Sequence, residues 1–311
     1  MQTQSEPIER GSRPKRSVFG NFGPEEAPVS EPACVRENHK RAGSEGGAPT
    51  NLQAAIDVAV ARSFIYRFVA KTFEDPAATG LSGLTDAPMQ SVFHLAVKVL
   101  AAKTNSGLEN AADAFVARLN SIRFEDFKSE YVAAFGHAAR GRCPLNEIEY
   151  GDIKADPLFQ PHRLADLGAF YSAFGLELTT DAAERHDHIC LELEFMSVLA
   201  AKEAYALEHQ LDAEQLSLCR DAQKLFLREH LGRWTPAFTR RLSKMVGEES
   251  PLGALADFTR EFVTADCARL GLTPGSEDLL LRPINQADES LCDSCGIASR
   301  LPGALQTCGE T

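Results

Sequence analysis

Apolar residues recur at helical spacing almost without interruption from Asn51 to Gly271. Ile56, Val60, Phe64, Phe68 and Phe73 share one face, which predicts a helix capped by Asn51 and stopped before Pro76. A second follows Pro88 through Phe93, Leu95, Val99 and Leu100, and stops near Asn105 and Gly107. Shorter periodic stretches cover residues 108–120 and 124–135. The pattern then breaks over residues 136–161, where glycine, proline, Asn146, Asp152 and Asp156 predict a long irregular connection, a kind of loop that is often functional. Helical spacing resumes over 163–174, closed by Gly175. Thr180 is expected to cap the longest helix, 181–211, and Asp212 the next, which reaches Leu231 and is ended by Gly232. Pro236 is placed in the first turn of a helix through Val246, and Pro251 in that of a last one over 252–270. No window offers alternating β-branched residues bounded by turns. The expected fold is all-α, a single helical domain over 51–271 with roughly eight to ten helices.

The two ends lack this pattern. Residues 1–50 hold 6 of the 16 prolines and 6 of the 22 glycines, and read as a disordered arm. Residues 272–311 read as an irregular, cysteine-containing tail. The arm is neutral, with seven acids and seven bases, and the tail carries six acids and two bases, so the middle of the chain holds −8 of the total charge of −12. An acidic domain repels phosphate backbones, which argues against nucleic-acid binding and favours a basic peptide as partner. No run of apolar residues is long enough for a transmembrane helix. The basic run from Ser12 to Arg16 lacks a following apolar segment, so no export leader is expected and the expected location is cytoplasmic. The eight cysteines are too few and too scattered for a disulfide scaffold. Cys190, Cys219 and Cys267 fall within helical patterns, as small buried residues do.

The densest chemistry lies in 181–211. Ile189, Leu193, Met196 and Ala200 form one apolar stripe, and Glu184, His188, Glu192, Phe195 and Leu199 form a column beside it if the helix begins at 181. The column admits three readings. Glu184 and Arg185 could serve as helix-end electrostatics. Glu184, His188 and Glu192 could ligate a metal. Asp187 and His188 could hydrogen-bond an incoming chain. A di-iron bundle needs Glu-x-x-His, which does not occur in the sequence.

Glu184-Arg185-His186-Asp187-His188-Ile189, followed by Glu192-Leu193-Glu194-Phe195-Met196, resembles the E-R-x-D-H-I-x-x-E-L-E-F-M signature of the TorD/DmsD family of redox-enzyme maturation chaperones. Tyr131 to Gly151, with Gly141-Arg142-Cys143-Pro144 and Glu147-Ile148-Glu149-Tyr150-Gly151, resembles its aromatic-x-x-Leu-Phe-x-G element and the proline-bearing segment after it. His230-Leu231-Gly232-Arg233-Trp234 with Phe238 resembles its H-L-x-x-W-x-x-x-F element. The chain departs from the pattern at Ala134, Asn146 and His186, and neither end is covered. The resemblance implies a cytoplasmic, non-enzymatic all-helical chaperone. Its partner would be the catalytic subunit of a molybdopterin-containing oxidoreductase, bound through its twin-arginine leader, its apo form or both, and held from export until the cofactor is inserted.

Such a leader offers two arginines and an apolar segment, so its receptor needs carboxylates beside a groove. Asp187, Glu149 and Glu147, with Asp152, are the expected arginine acceptors, and His188, Tyr150, Tyr131 and Phe135 the expected groove lining. Against this, Tyr131 and Phe135 at spacing four also suit a core, Trp234 an interhelical joint, and Glu147 and Glu149 a solvated loop. No cofactor is required. The C-terminal Cys292, Cys295 and Cys308 provide one CxxC pair plus one thiol, where zinc ribbons present two pairs. A metal or redox role for them, or for Glu184, His188 and Glu192, is the alternative function, and a general helical scaffold is another. Both monomer and dimer are compatible with the sequence.

Overall fold

The computed structural model describes residues 51–102, 107–136, 141–151, 159–178, 184–247 and 249–282. The arm, Asp152, the Thr180 cap and the three C-terminal cysteines lie outside the described residues. The protein is all-α. In chain order the helices are α1 (Asn51–Phe73), the single turns α2 (Pro76–Thr79) and α3 (Ser82–Thr85), α4 (Ala87–Ala101), α5 (Leu108–Ser121), α6 (Phe124–Phe135), α7 (Phe159–Ala173), α8 (Ile189–Glu208), α9 (Ala213–Glu229), α10 (Leu231–Val246) and α11 (Pro251–Arg269). A 3-10 turn, Glu147–Glu149, lies between α6 and α7.

Helix α8 is the centre. Its expected stripe of Ile189, Leu193, Met196 and Ala200 is fully buried, but so are Glu192, Phe195 and Leu199 beside it. A helix apolar on more than one face belongs inside a bundle. Accordingly α1 packs along α8, with α4 on α1, α9 on α8, and α11 against both α5 and α10. Phe68, Phe93, Phe115 and Phe258 form one aromatic cluster between these layers, with Phe68 and Phe93 ring centroids 4.5 Å apart.

Two helix starts differ from expectation. Helix α8 begins at Ile189, not at 181, because His188 has extended backbone angles (φ −77°, ψ 138°) and caps it, its Nδ1 accepting from the Cys190 amide at 3.3 Å. Glu184, His188 and Glu192 therefore do not share one helical face. Pro236 sits inside α10, which starts at Leu231. Lacking an N–H, it leaves the Gly232 carbonyl without its helical donor, and Gly275 supplies one at 2.9 Å. Gly232 does not stop a helix but permits a crossing, since a Cβ there would lie 2.5 Å from the Leu227 carbonyl oxygen and 3.0 Å from Cys267 Sγ.

Four helices, α1, α8, α9 and α11, are tied by one buried charge cluster. From α1, Arg62 donates to both Asp266 oxygens on α11, at 2.5 and 2.7 Å, and to Glu203 on α8 at 3.1 Å. Tyr66 also donates to Asp266, while Arg220 and Gln223 donate to Glu203. Burial alone would raise the Asp266 pKa, but the charge and hydrogen bonds of Arg62, with Arg269 and Tyr66, hold it at about 2, below its usual 3.8. A depressed carboxylate stabilises the fold above its unfolded pKa, and that contribution is lost as the pH falls through the folded value. Denaturant titrations should therefore show stability falling from about pH 4 towards about pH 2. Arg62→Ala, which leaves two buried carboxylates without their cation, should cost about 3–5 kcal/mol at neutral pH.

Candidate functional site

The stretch that interrupts the helices is buried from Cys143 to Gly151, apart from half-buried Leu145, although it is almost entirely irregular. Buried peptide groups need partners, and here they come from other parts of the chain. The Glu147 amide donates to the Asp187 carbonyl at 2.9 Å, and the Ile189 amide to the Leu145 carbonyl at 2.8 Å, so Asn146 and His188 pair as an isolated antiparallel bridge. Asp187 then uses its carboxylate on the same segment, accepting from Asn146 Nδ2 at 3.1 Å and from the Ile148 amide at 3.2 Å. Arg233 donates to the Tyr150 carbonyl with both terminal nitrogens at 3.2 Å. Tyr150 seals the segment onto α10: its hydroxyl donates to the Pro144 carbonyl at 2.9 Å, and its ring lies 5.1 Å from that of Trp234.

Four carboxyl groups, those of Glu147, Glu149, Asp187 and Glu192, are buried around this junction, and they are not handled alike. Glu147 accepts from His230 Nδ1 at 2.9 Å and from Arg233 at 2.9 and 3.1 Å, with Arg163 at 3.4 Å. Burial would raise its pKa, but the His230 hydrogen bond and the charges of His230, Arg233 and Arg163 bring it below its ordinary value. Asp187 is held by Arg185, whose Nε and Nη2 make a bidentate pair at 3.0 Å each, and Nη2 also reaches Glu149 at 3.5 Å. Glu192 makes no ion pair among the described residues. Its Oε2 accepts from Trp234 Nε1 at 3.0 Å and its Oε1 has no partner among the described residues. Burial, and the negative charges of Glu147 and Asp187 beside it, push its pKa well above its ordinary value.

His188 carries no charge at neutral pH. Burial first, and the Arg185 charge second, lower its pKa to about 4, which suits its role as a capping acceptor. Its Nε2 lies 3.5 Å from Glu184.

All seven residues expected to bind a client peptide are interior. Asp187, His188, Glu147, Glu149 and Tyr150 are brought together. Tyr131 donates to the Phe73 carbonyl at 2.9 Å and packs on Phe135, which reaches the others only through Phe238. Arg185 is the point where the cluster meets solvent: its side chain is 39% exposed, against 0% for Asp187 and 5% for Glu149. The sequence reading paired Arg185 with Glu184 and did not link Arg163, Arg233 or His230 to Glu147. His230 and Arg233, three apart at a helix start, were the available signal. No group of three or more His, Cys, Asp or Glu able to hold a metal occurs among the described residues, and Glu184, His188 and Glu192 are not gathered into one. No helix of the described residues is long and apolar enough to cross a membrane.

The three segments that build this junction carry the sequence signatures, and they fall within the part of the chain that known families match. A family model described as nitrate reductase delta subunit matches residues 101–240. The chain is 28% identical over 213 residues to the perchlorate reductase assembly chaperone protein of Dechloromonas aromatica, covering 68% of this chain and 90% of that one. It is 33% identical over 151 residues to the selenate reductase assembly chaperone protein of Thauera selenatis, covering 49% and 74%. It is 30% identical over 180 residues to the chaperone protein TorD of Vibrio cholerae, covering 57% and 71%. The protein is thus a helical chaperone-type fold built around a buried acid–cation junction. It belongs to the TorD/DmsD family of redox-enzyme maturation chaperones.

The different treatment of the buried acids is measurable. Glu147→Gln should lose on the order of 3 kcal/mol in denaturant unfolding, because it strips the partner from buried His230 and Arg233. Glu192→Gln should do the opposite. A carboxyl with a raised pKa stabilises the fold below its unfolded value and loses that contribution as the pH rises, so the variant should match wild type at about pH 4 and gain on it as the pH rises from there.

Proposed function

We propose that this protein is a cytoplasmic, non-enzymatic assembly chaperone for the catalytic subunit of a molybdopterin-containing oxidoreductase. It binds the subunit's twin-arginine leader, its apo form or both, and delays export until the cofactor is in place. The observation that carries this reading is the location of the family signature. Glu184 to Met196 supplies Arg185, Asp187, His188 and Glu192, and these four build one wall of the junction that also contains Glu147, Glu149 and Tyr150. The names of the relatives, assembly chaperones for perchlorate and selenate reductases and TorD, support the same class of client.

The chemistry suits a doubly basic peptide. The chain carries a net charge of −12, which attracts a cationic leader over a Debye length of about 10 Å at 0.1 M salt. At short range, Asp187 already holds one guanidinium in bidentate geometry, with Glu149 at 3.5 Å, and that geometry distinguishes arginine from lysine. The exposed rim at Arg185 and Glu184 is where a leader arginine would arrive.

Calorimetric titration with a synthetic peptide carrying an Arg-Arg pair before an apolar segment should give a dissociation constant of about 1 μM or tighter, roughly −8 kcal/mol. Replacing Arg-Arg by Lys-Lys should weaken binding about tenfold, and raising salt from 0.05 to 0.5 M should weaken it further. Binding indifferent to both changes contradicts arginine recognition. Affinity capture from the native host should bring down a molybdenum-enzyme catalytic subunit that still carries its leader.

A further inference from the structure

Beyond α11 the described residues, up to Arg282, stay against the body of the protein. Gly275 is anchored by its amide on the Gly232 carbonyl that Pro236 leaves open, and it must be glycine, since a Cβ would sit 2.0 Å from the Arg233 carbonyl oxygen. The strap of residues 275–282 then runs back across the junction. Gly151 donates to the Leu280 carbonyl at 3.1 Å and Arg282 donates to the Glu149 carbonyl at 3.0 Å, so Tyr150 and Leu281 pair as an antiparallel bridge. Side chains alternate as on a strand: Leu279 and Leu281 pack against the core, while Leu280 is 75% exposed.

This is the geometry by which an extended peptide adds to a free backbone edge, with main-chain bonds for affinity and alternate side chains for specificity. The edge is residues 149–151, and its occupant is the chain itself. Glu149 is occupied twice, its carbonyl by the strap and its carboxylate by the Arg185 guanidinium. Both occupants offer the chemistry of an arginine-bearing apolar peptide. The strap reads Leu-Leu-Leu-Arg over 279–282.

Its hold is also slight. Two main-chain bonds tie it to the edge and one to Gly232, and its outer acids, Glu277 and Asp278, pair with Arg240 in exposed contacts of the kind that contribute little. The buried Nη1 of Arg282 has no acceptor among the described residues, so the strap's own fit to the edge is incomplete.

We infer that residues 149–151 form a peptide-docking edge kept filled by the strap of residues 275–282, and that an extended, arginine-bearing apolar segment of the client binds there by exchange with it. The inference rests on the chaperone reading above and adds the address of the client segment and its competitor. Exchange has a simple logic: an empty edge would leave backbone groups and apolar surface open to any chain, whereas a weak internal occupant yields only to a better one.

Two substitutions in the full-length chain release the strap from opposite ends. Gly275→Ala drives its root off the Gly232 carbonyl, because the added Cβ meets the Arg233 carbonyl oxygen, and Arg282→Pro removes the N–H that bonds Glu149. Each should tighten binding of the Arg-Arg peptide about tenfold, as expected when a competing closed state is depopulated, with helix content unchanged by circular dichroism. In the wild type, saturating peptide should speed hydrogen exchange at the Arg282 amide while protecting Gly151. Unchanged affinity in folded variants, or an Arg282 amide that stays protected with peptide bound, overturns the exchange while leaving leader binding intact. Peptide binding by neither wild type nor variants overturns the chaperone reading and the exchange together.

Discussion

A buried irregular segment must find a partner for every peptide group it takes out of water, and that requirement organises one whole side of this molecule. Residues 143–151 cross a bundle whose helices satisfy their own backbones and have little to lend. The missing partners come from the turn before α8, from Arg233 on α10 and from the strap after α11. Asp187 is the joint between them: its carbonyl serves Glu147, its carboxylate serves Asn146 and Ile148, and its charge is met by Arg185. Losing that joint would strand several polar groups at once, which is why the segments cannot be regarded as separate loops.

The same economy explains the charges. An acid buried here either borrows a cation or has its pKa pushed up. Glu147 and Asp187 take the first course, Glu192 the second, and Arg62 with Asp266 and Glu203 repeats the first course about three turns further along α8. Only one of these cations, Arg185, combines a bidentate hold on a buried acid with substantial exposure. The chemistry that stabilises the fold and the chemistry suited to a basic client therefore meet at one residue.

The helices were legible because burial repeats every turn: Ile189, Leu193, Met196 and Ala200 were assigned inward from spacing alone and are fully buried. What spacing could not supply was any bond between residues far apart in sequence. Asp187 and His188 sit in a stretch whose local composition suits a helix, but Asp187 lies in a turn and ties to residues 145–148 help to hold His188 extended. Glu147 passes for a solvated loop charge until His230 and Arg233, 83 and 86 residues away, are placed beside it. Pro236 looks like a helix start because the donor that makes it tolerable inside α10 is Gly275. The strap itself has no periodicity to read, since two main-chain bonds to an edge leave no repeating mark on sequence.

The signature of the family thus marks a structural joint first, and its suitability for an arginine-bearing client follows from how that joint is filled. Site-resolved hydrogen exchange on an Asp187→Asn variant tests the joint most directly. Removing the charge while keeping the shape should release Arg185 and loosen the whole assembly, so protection should fall together at the amides of Glu147, Ile148, Ile189 and Arg282, while the amides within α1 and α11 keep theirs. Loss of protection confined to Ile148, with Glu147, Ile189 and Arg282 unchanged, would contradict the account.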